Sequence, residues 1–269
     1  MGEPRSSTTP SYTDYFERFW SAEAIAAASF DTLSTGERQR VDAIIEAVPT
    51  DATSVLDAGC GSGVVVNELL ARRQIRVAGL EIAAAPLEHV RAQRILGSTD
   101  AMPVPDGSFD VVVLADVLEH LPHGVFERTL AEVSRVAARY VVVNSPHREP
   151  LDLARTKCQR CTTAFHASRH ARSIAREDVE NWFPAFELLS WRLCGVERRR
   201  RLRGLQLVAQ ALGDAWYRPD RAVCPNCGYP VTPPTPNQAV RVVNGAIQRA
   251  VGQLLPSEPS EFVALLSRR

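Results

Sequence analysis

The segment Asp57-Ala58-Gly59-Cys60-Gly61-Ser62-Gly63 is the part of the chain best suited to hold a ligand. It closes a short apolar run (Val55, Leu56) with an acid and then alternates glycine with small residues. An apolar helix pattern follows at once (Val64, Val65, Val66, Leu69, Leu70). Glycine lets a backbone bend sharply and lets a ligand approach with no Cβ in the way. Strand, tight turn and helix in that order place a nucleotide-type ligand at the head of the first strand of an open α/β sheet. Glu81 closes the second apolar run, where an acid accepts hydrogen bonds from both ribose hydroxyls. Asp100-Ala101-Met102 follows the third, where an acid can take an adenine amino group.

Four cysteines suggest separate chemistry. Cys158-Gln159-Arg160-Cys161 and Cys224-Pro225-Asn226-Cys227-Gly228 share the two-residue spacing of a zinc knuckle. Four thiolates form the closed tetrahedral sulfur set of structural zinc. A long stretch of chain separates the pairs, and several arrangements are open: one shared zinc, a site of Cys158 and Cys161 with one or both of His166 and His170, a redox pair, or free thiols. Cys60 reads as a small buried residue in the turn, and Cys194 as core.

These groups need elements to position them. Residues 12–48 look helical, with an aromatic stripe from Tyr12 to Trp20 and a second helix over Thr35–Val48. Strands are expected at Ser54–Asp57, Val77–Glu81, Ile95–Gly97, Phe109–Ala115 and Arg139–Asn144. The helices expected between them fall at about 64–72, 84–93 and 124–138. This alternation implies a parallel sheet with helices on both faces. Residues 146–172 read as irregular. A helix at 176–182, a sixth strand at Phe186–Cys194, a long excursion over 195–240, a helix near 237–254 and a last strand at Glu261–Leu266 complete the chain.

Taken with Pro105-Asp106-Gly107-Ser108-Phe109-Asp110 and Leu118-Glu119-His120-Leu121, the glycine turn, Glu81 and Asp100 give the chain its family likeness. It resembles the class I S-adenosylmethionine-dependent methyltransferases, above all those of ubiquinone biosynthesis and the small-molecule O-methyltransferases. The likeness covers about residues 35–145 and resumes weakly at 174–194 and 260–267. A nicotinamide dehydrogenase is the rival, but its pattern is Gly-x-Gly-x-x-Gly, whereas these glycines stand at 59, 61 and 63. The resemblance implies an α/β, Rossmann-like, seven-stranded sheet of order 3-2-1-4-5-7-6 with strand 7 antiparallel. It implies a cofactor site of Asp57, Gly59, Gly61, Gly63, Glu81, Ile82, Asp100, Ala101, Met102, Ala115 and Asp116, covered by an N-terminal helical lid carrying Tyr15. The rival reading of that aromatic stripe is ordinary core packing.

In such an enzyme His120, near the end of strand 4, is a candidate base, its bland alternative being a helix cap. His170 with Arg172, at the substrate mouth in relatives, is a second candidate, its alternative being a hydrogen-bonded loop. The expected domain organisation is a lid over 1–50, a core over 51–145, and a first knuckle insertion over 146–175. Core helix and strand at 176–195, a second knuckle insertion at 196–240 and a terminal helix and strand at 241–269 follow. Both knuckles are tethered at the cofactor end of the sheet, which makes one shared structural zinc reasonable.

Composition narrows the setting. The 269 residues are 45% apolar and 23% charged, ordinary values for a globular protein, and the formal net charge is zero. No global field draws the chain to nucleic acid or an anionic membrane. No apolar run reaches the ~20 residues of a membrane span, and the polar start of the chain lacks a signal peptide's apolar core. The expected compartment is the cytoplasm. The run Glu197–Arg203 reads as a solvated helix start or as a clamp for an anionic group. Expected partners are a small-molecule acceptor, an anionic one among the options, and a second copy of the chain; neither membrane nor nucleic acid is expected. The reaction expected is methyl transfer, most simply to a hydroxyl in secondary metabolism or saccharide modification. The alternatives are non-methylating use of the same cofactor, such as intramolecular cyclisation, and a non-catalytic cofactor- or nucleic-acid-binding module.

Overall fold

A computed structural model describes Phe16 and residues 29–199, 202–212, 222–231 and 237–269. In chain order the helices are α1 (Thr35–Ala47), α2 (Val64–Arg72), α3 (Ala84–Leu87), α4 (His123–Val136), α5 (Arg176–Trp182), α6 (Arg203–Ala211) and α7 (Gln238–Gly252). The strands are β1 (Ser54–Ala58), β2 (Arg76–Glu81), β3 (Gln93–Leu96), β4 (Phe109–Ala115), β5 (Ala137–Pro146), β6 (Arg155–Lys157), β7 (Ala164–His166), β8 (Phe186–Arg199) and β9 (Ser257–Arg268). The chain divides into two compact units. One comprises residues 20–149, 171–198 and 257–269; the other comprises 1–19, 150–170 and 199–256.

The larger unit is built on a seven-stranded sheet of order β3-β2-β1-β4-β5-β9-β8. Strands β1 to β5 pair in parallel, and β9 runs antiparallel to β5. This is the expected methyltransferase order, with β8 and β9 as the sixth and seventh strands. β1 is buried along its whole length, and Val111 to Leu114 of β4 are fully buried, as strands covered on both faces must be. Val41, Ile44 and Ile45 of α1 and Val66 and Leu69 of α2 pack with Val55, Val77, Val111 and Val142 in one core cluster. α1 starts where Ser34 and Glu37 cap each other: the Glu37 N–H donates to Ser34 Oγ, and the Ser34 N–H to the Glu37 carboxylate at 2.8 Å.

Several elements differ from the sequence expectation. The helix expected over 84–93 stops at Leu87. Asn67 holds the following chain instead: its Nδ2 donates to the His89 carbonyl at 3.0 Å and its Oδ1 accepts the Arg91 N–H at 2.8 Å. β8 runs past Cys194 to Arg199 because Gly195, at φ 81°, turns the strand without breaking it; a Cβ there would sit 2.8 Å from Ser260 Oγ. β5 and β9 are each longer at both ends than their apolar runs: pairing with each other carries β5 on to Pro146 and β9 on to Ser267, and Ala137 at the start of β5 pairs with Phe109 of β4. Residues 12–48 are not one helical stretch among the described residues: Phe30–Thr32 is a 3-10 turn, and Leu33 and Ser34 are extended. Of the aromatic stripe only Phe16 is described; Tyr12, Tyr15, Phe19 and Trp20 lie outside the described residues.

The second unit holds an antiparallel hairpin of β6 and β7, with Thr156 opposite Phe165, in a region read from sequence as irregular. Among the described residues, one buried cluster of this unit comprises Phe165, Ala222, Val231 and the cysteines. Leu202 and Gln248 tie the start of α6 to α7, the Leu202 N–H donating to Gln248 Oε1 at 3.1 Å and Gln248 Nε2 to the Leu202 carbonyl at 3.3 Å.

Candidate cofactor and active site

The turn between β1 and α2 is built from three residues in left-handed backbone. Gly59, Gly61 and Gly63 have φ of 88°, 52° and 77°. At two of them there is no room for a side chain: a Cβ on Gly59 would lie 2.6 Å from Val117 Cγ2, and one on Gly63 2.6 Å from Val90 Cγ2. The turn is anchored to the next strand, the Leu80 carbonyl accepting the N–H groups of Gly59 and Cys60 at 2.7 and 3.0 Å. Glu81 braces it from the end of β2. Its carboxylate accepts the Gly61 N–H at 3.0 Å, the Ile82 N–H at 2.8 Å and the Ala83 N–H at 3.1 Å.

Asp57, at 1% exposure, lies beneath this turn. Its Oδ1 is buried with no hydrogen-bond partner. Loss of water, with Glu81 and Asp116 nearby, pushes its carboxyl up to about 7. A buried acceptor of this kind costs free energy until a donor reaches it. Cys60 packs against the core, and burial pushes its thiol well above its ordinary range.

Asp100 is engaged by the protein. Ser98 Oγ donates to Oδ1, and Arg128 Nε and Nη2 donate to Oδ2 at 3.0 and 2.7 Å. Burial works to raise this carboxyl, but the Ser98 hydroxyl and the Arg128 guanidinium prevail and hold it below the usual range. Met102 is buried; its N–H donates to Glu132 at 2.7 Å and its carbonyl accepts from Arg135 at 3.0 Å. Ala101 is exposed on the turn between them, its N–H donating to the Ser98 carbonyl at 3.2 Å.

Ala115 ends β4, and Asp116 leaves it in left-handed backbone at φ 55°. The Asp116 carboxylate pairs with Arg40 of α1. Glu119 and His120 follow in a 3-10 turn, with a Glu119 carboxylate oxygen and a ring nitrogen of His120 within 4.8 Å. Burial, reinforced by Asp116, pushes the Glu119 carboxyl well above its ordinary range. The same two causes push Glu261, on β9, up to about 8. Arg40 and Glu261 are parts of this site that sequence reading did not single out, whereas Glu119 belongs to the motif that carries His120. Arg40 pairs across 76 positions of chain, and no local pattern announces such a contact.

His170 and Arg172 fall in different units. His170 stacks on His166 with ring centroids 4.6 Å apart. Arg172 lies over the Phe126 ring at 3.9 Å and donates to the Leu118 carbonyl, which fixes the turn that carries His120. Of the arginine run, Arg198 donates to the His147 carbonyl at 2.7 Å and Arg203 pairs with Asp152, while Arg200 and Arg201 lie outside the described residues. Cys158, Cys161, Cys224 and Cys227 converge, with all four sulfurs within 4.8 Å of one another.

A family profile described as "Methyltransferase domain" matches residues 56–142. The ubiquinone biosynthesis O-methyltransferase of Hahella chejuensis (strain KCTC 2396) is 30% identical over 141 residues, covering 49% of this chain and 56% of that one. The chain thus spans about half the length of the curated relatives it matches; for the Pseudomonas fluorescens (strain Pf0-1) protein of the same name the share is 47%, at 32% identity. Among solved structures, a chain from the complex between the Haloferax volcanii Trm112 methyltransferase activator and a methyltransferase superposes with a TM-score of 0.56 at 13% identity, covering 94% of this chain and 97% of that one. A SAM-dependent methyltransferase from Thermotoga maritima gives 0.51 at 12% identity, over 96% and 98%. Strand order and the profile match over residues 56–142 make the core of this chain similar to the class I S-adenosylmethionine-dependent methyltransferases.

Proposed function

We propose that the chain transfers the methyl group of S-adenosylmethionine to a small-molecule acceptor, with a hydroxyl oxygen as the reacting atom, in secondary metabolism or saccharide modification. The observation that carries this reading is the buried Asp57 Oδ1 with no hydrogen-bond partner, set beneath a glycine turn. The methionine end of the cofactor bears an ammonium group, and a buried, unsatisfied carboxylate oxygen suits it. Gly59, Gly61 and Gly63 would leave backbone open to that end, and Glu81 with Ile82 would meet the ribose. Asp100, Ala101 and Met102 would lie beside the adenine, with Ala115 and Asp116 nearest the reacting end.

When bound, S-adenosylmethionine supplies an electrophilic sulfonium methyl. The protein's share is to bring the acceptor into line and to remove its proton. In this reading a ring nitrogen of His120, beside the Glu119 carboxyl, takes the hydroxyl proton. Arg40 holds Asp116 in place. The four cysteine sulfurs belong to the other unit and enter no step.

The test is incubation with methyl-labelled cofactor and a panel of phenols, sugars and amines, read by mass change of the acceptor. A gain of one methyl on a hydroxyl compound supports the reading. Transfer only to amines overturns the oxygen assignment. Release of methylthioadenosine without a methylated product points instead to non-methylating use of the cofactor.

A further inference from the structure

We infer that the second unit is assembled around one structural zinc ion shared by Cys158, Cys161, Cys224 and Cys227. The sulfurs of Cys158 and Cys227 are 3.7 Å apart, and those of Cys161 and Cys224 are 3.5 Å apart. Four thiolates about 2.3 Å from a common zinc form a tetrahedron with edges of about 3.8 Å. A disulfide would bring two sulfurs to about 2.05 Å, far inside either separation. The distances are those of sulfurs around a shared ion and not of bonded pairs.

The backbone carries the same message independently of the sulfurs. The Cys158 N–H donates to the Thr163 carbonyl and the Thr162 N–H to the Cys158 carbonyl, at 2.9 and 3.0 Å. The Cys224 N–H donates to the Tyr229 carbonyl and the Gly228 N–H to the Cys224 carbonyl, both at 2.9 Å. Each turn therefore has one hydrogen bond to the carbonyl five residues on and one from the N–H four residues on. Each also places the residue after its second cysteine in left-handed backbone, Thr162 at φ 61° and Gly228 at φ 64°. Thr162 tolerates this conformation poorly, so the turn is held by something beyond local preference. Two unrelated stretches of sequence have folded into copies of one knuckle, and their four thiols meet.

The unit needs such a centre. Among the described residues its cysteine-centred cluster holds Phe165, Ala222 and Val231 besides the cysteines, and its hairpin strands are three residues each. A cluster and hairpin of this size do not hold a fold without a staple. The two knuckles are also separated in sequence by residues 171–198, which belong to the other unit, so the ion closes this unit across that interruption. Four sulfur ligands leave no open position, which assigns the ion to folding and not to catalysis. The convergence of all four thiols favours the shared four-cysteine set among the arrangements left open by the sequence, while His166 and His170 stack on each other.

The experiment measures metal in the full-length chain by mass spectrometry, in the wild type and in Cys158→Ser, Cys224→Ser, Cys60→Ser and Cys194→Ser. The wild type should hold about one zinc per chain, with at least a tenfold drop in Cys158→Ser and Cys224→Ser and no change in the other two. Cobalt substituted into the intact wild-type chain should show the sulfur-to-metal charge-transfer bands of a tetrahedral four-thiolate site, a readout that does not depend on the variants folding. Chelation should expose residues 150–170 and 222–231 to protease. No metal, iron in place of zinc, undiminished zinc after Cys224→Ser, a cobalt spectrum of fewer than four thiolates, or unchanged protease resistance after chelation would each overturn the inference.

Discussion

Asp57 makes a quantitative demand on cofactor binding and on stability together. Its carboxyl titrates near 7 in the folded chain against an ordinary value of 3.8. Between those two values the unfolded chain has lost its proton and the folded chain has kept it. Stability is therefore fully present below the lower value and is lost as pH rises towards the upper one. At ~1.36 kcal/mol per pKa unit the loss approaches ~4 kcal/mol. Asp57→Asn removes this contribution, so between pH 5 and pH 8 the ligand-free variant should weaken less than the wild type, the share from Glu119 and Glu261 remaining. Cofactor binding should run the other way. The ammonium group favours ionised Asp57, so the affinity of the wild type for S-adenosylmethionine should fall about eightfold from pH 7.5 to pH 6 as the carboxyl protonates. In Asp57→Asn the slope should vanish and the affinity at pH 8 should drop about tenfold to a hundredfold, the worth of one charged hydrogen bond. Isothermal titration across that pH range, paired with thermal unfolding of the ligand-free chain, measures both effects. Wild-type affinity that does not change with pH, or a slope that survives in Asp57→Asn, refutes the pairing of Asp57 with the cofactor's ammonium group.

Three other perturbations bear on neighbouring parts of the site. Gly63→Ala puts a Cβ at φ 77° and 2.6 Å from Val90 Cγ2; it should lower stability by at least about 1–2 kcal/mol, seen as a lower denaturant midpoint. Arg40→Ala leaves Asp116 facing Glu119 and Glu261 without its guanidinium. It should cost about 2 kcal/mol at pH 8 and less at pH 6, where the carboxyls are more protonated, with Asp116→Asn recovering part of the loss. His120→Ala should lower kcat about a hundredfold or more while leaving the affinity for S-adenosylhomocysteine unchanged; full activity in that variant takes His120 out of the chemistry.

The sheet was legible because each strand and helix signals itself locally. The apolar runs at Ser54, Val77 and Phe109 and the capped helix at Thr35 lie within a residue of the observed elements. What the sequence concealed depends on distant partners. The short α3 follows from Asn67 gripping residues 89–91, and the length of β8 from a Gly195 that bends against Ser260. The β6–β7 hairpin has too few residues to show an alternation. Within the site, the glycine turn and its two acids were readable because a ligand needs those residue types at those spacings. Arg40 and Glu261 were not, since each reaches the end of β4 from an element remote in sequence. The cysteine pairs were readable as knuckles, but their convergence across residues 171–198 is a fact of three dimensions.

The most direct test of the central claim is calorimetric titration of the full-length chain with S-adenosylmethionine, alongside Gly61→Val. A branched side chain at φ 52°, on the residue whose N–H donates to Glu81, disturbs the turn at its centre. The account predicts saturable binding of about one cofactor per wild-type chain and at least a tenfold loss in a variant that still unfolds cooperatively. Absence of binding by the wild type, or equal binding by the variant, would contradict it.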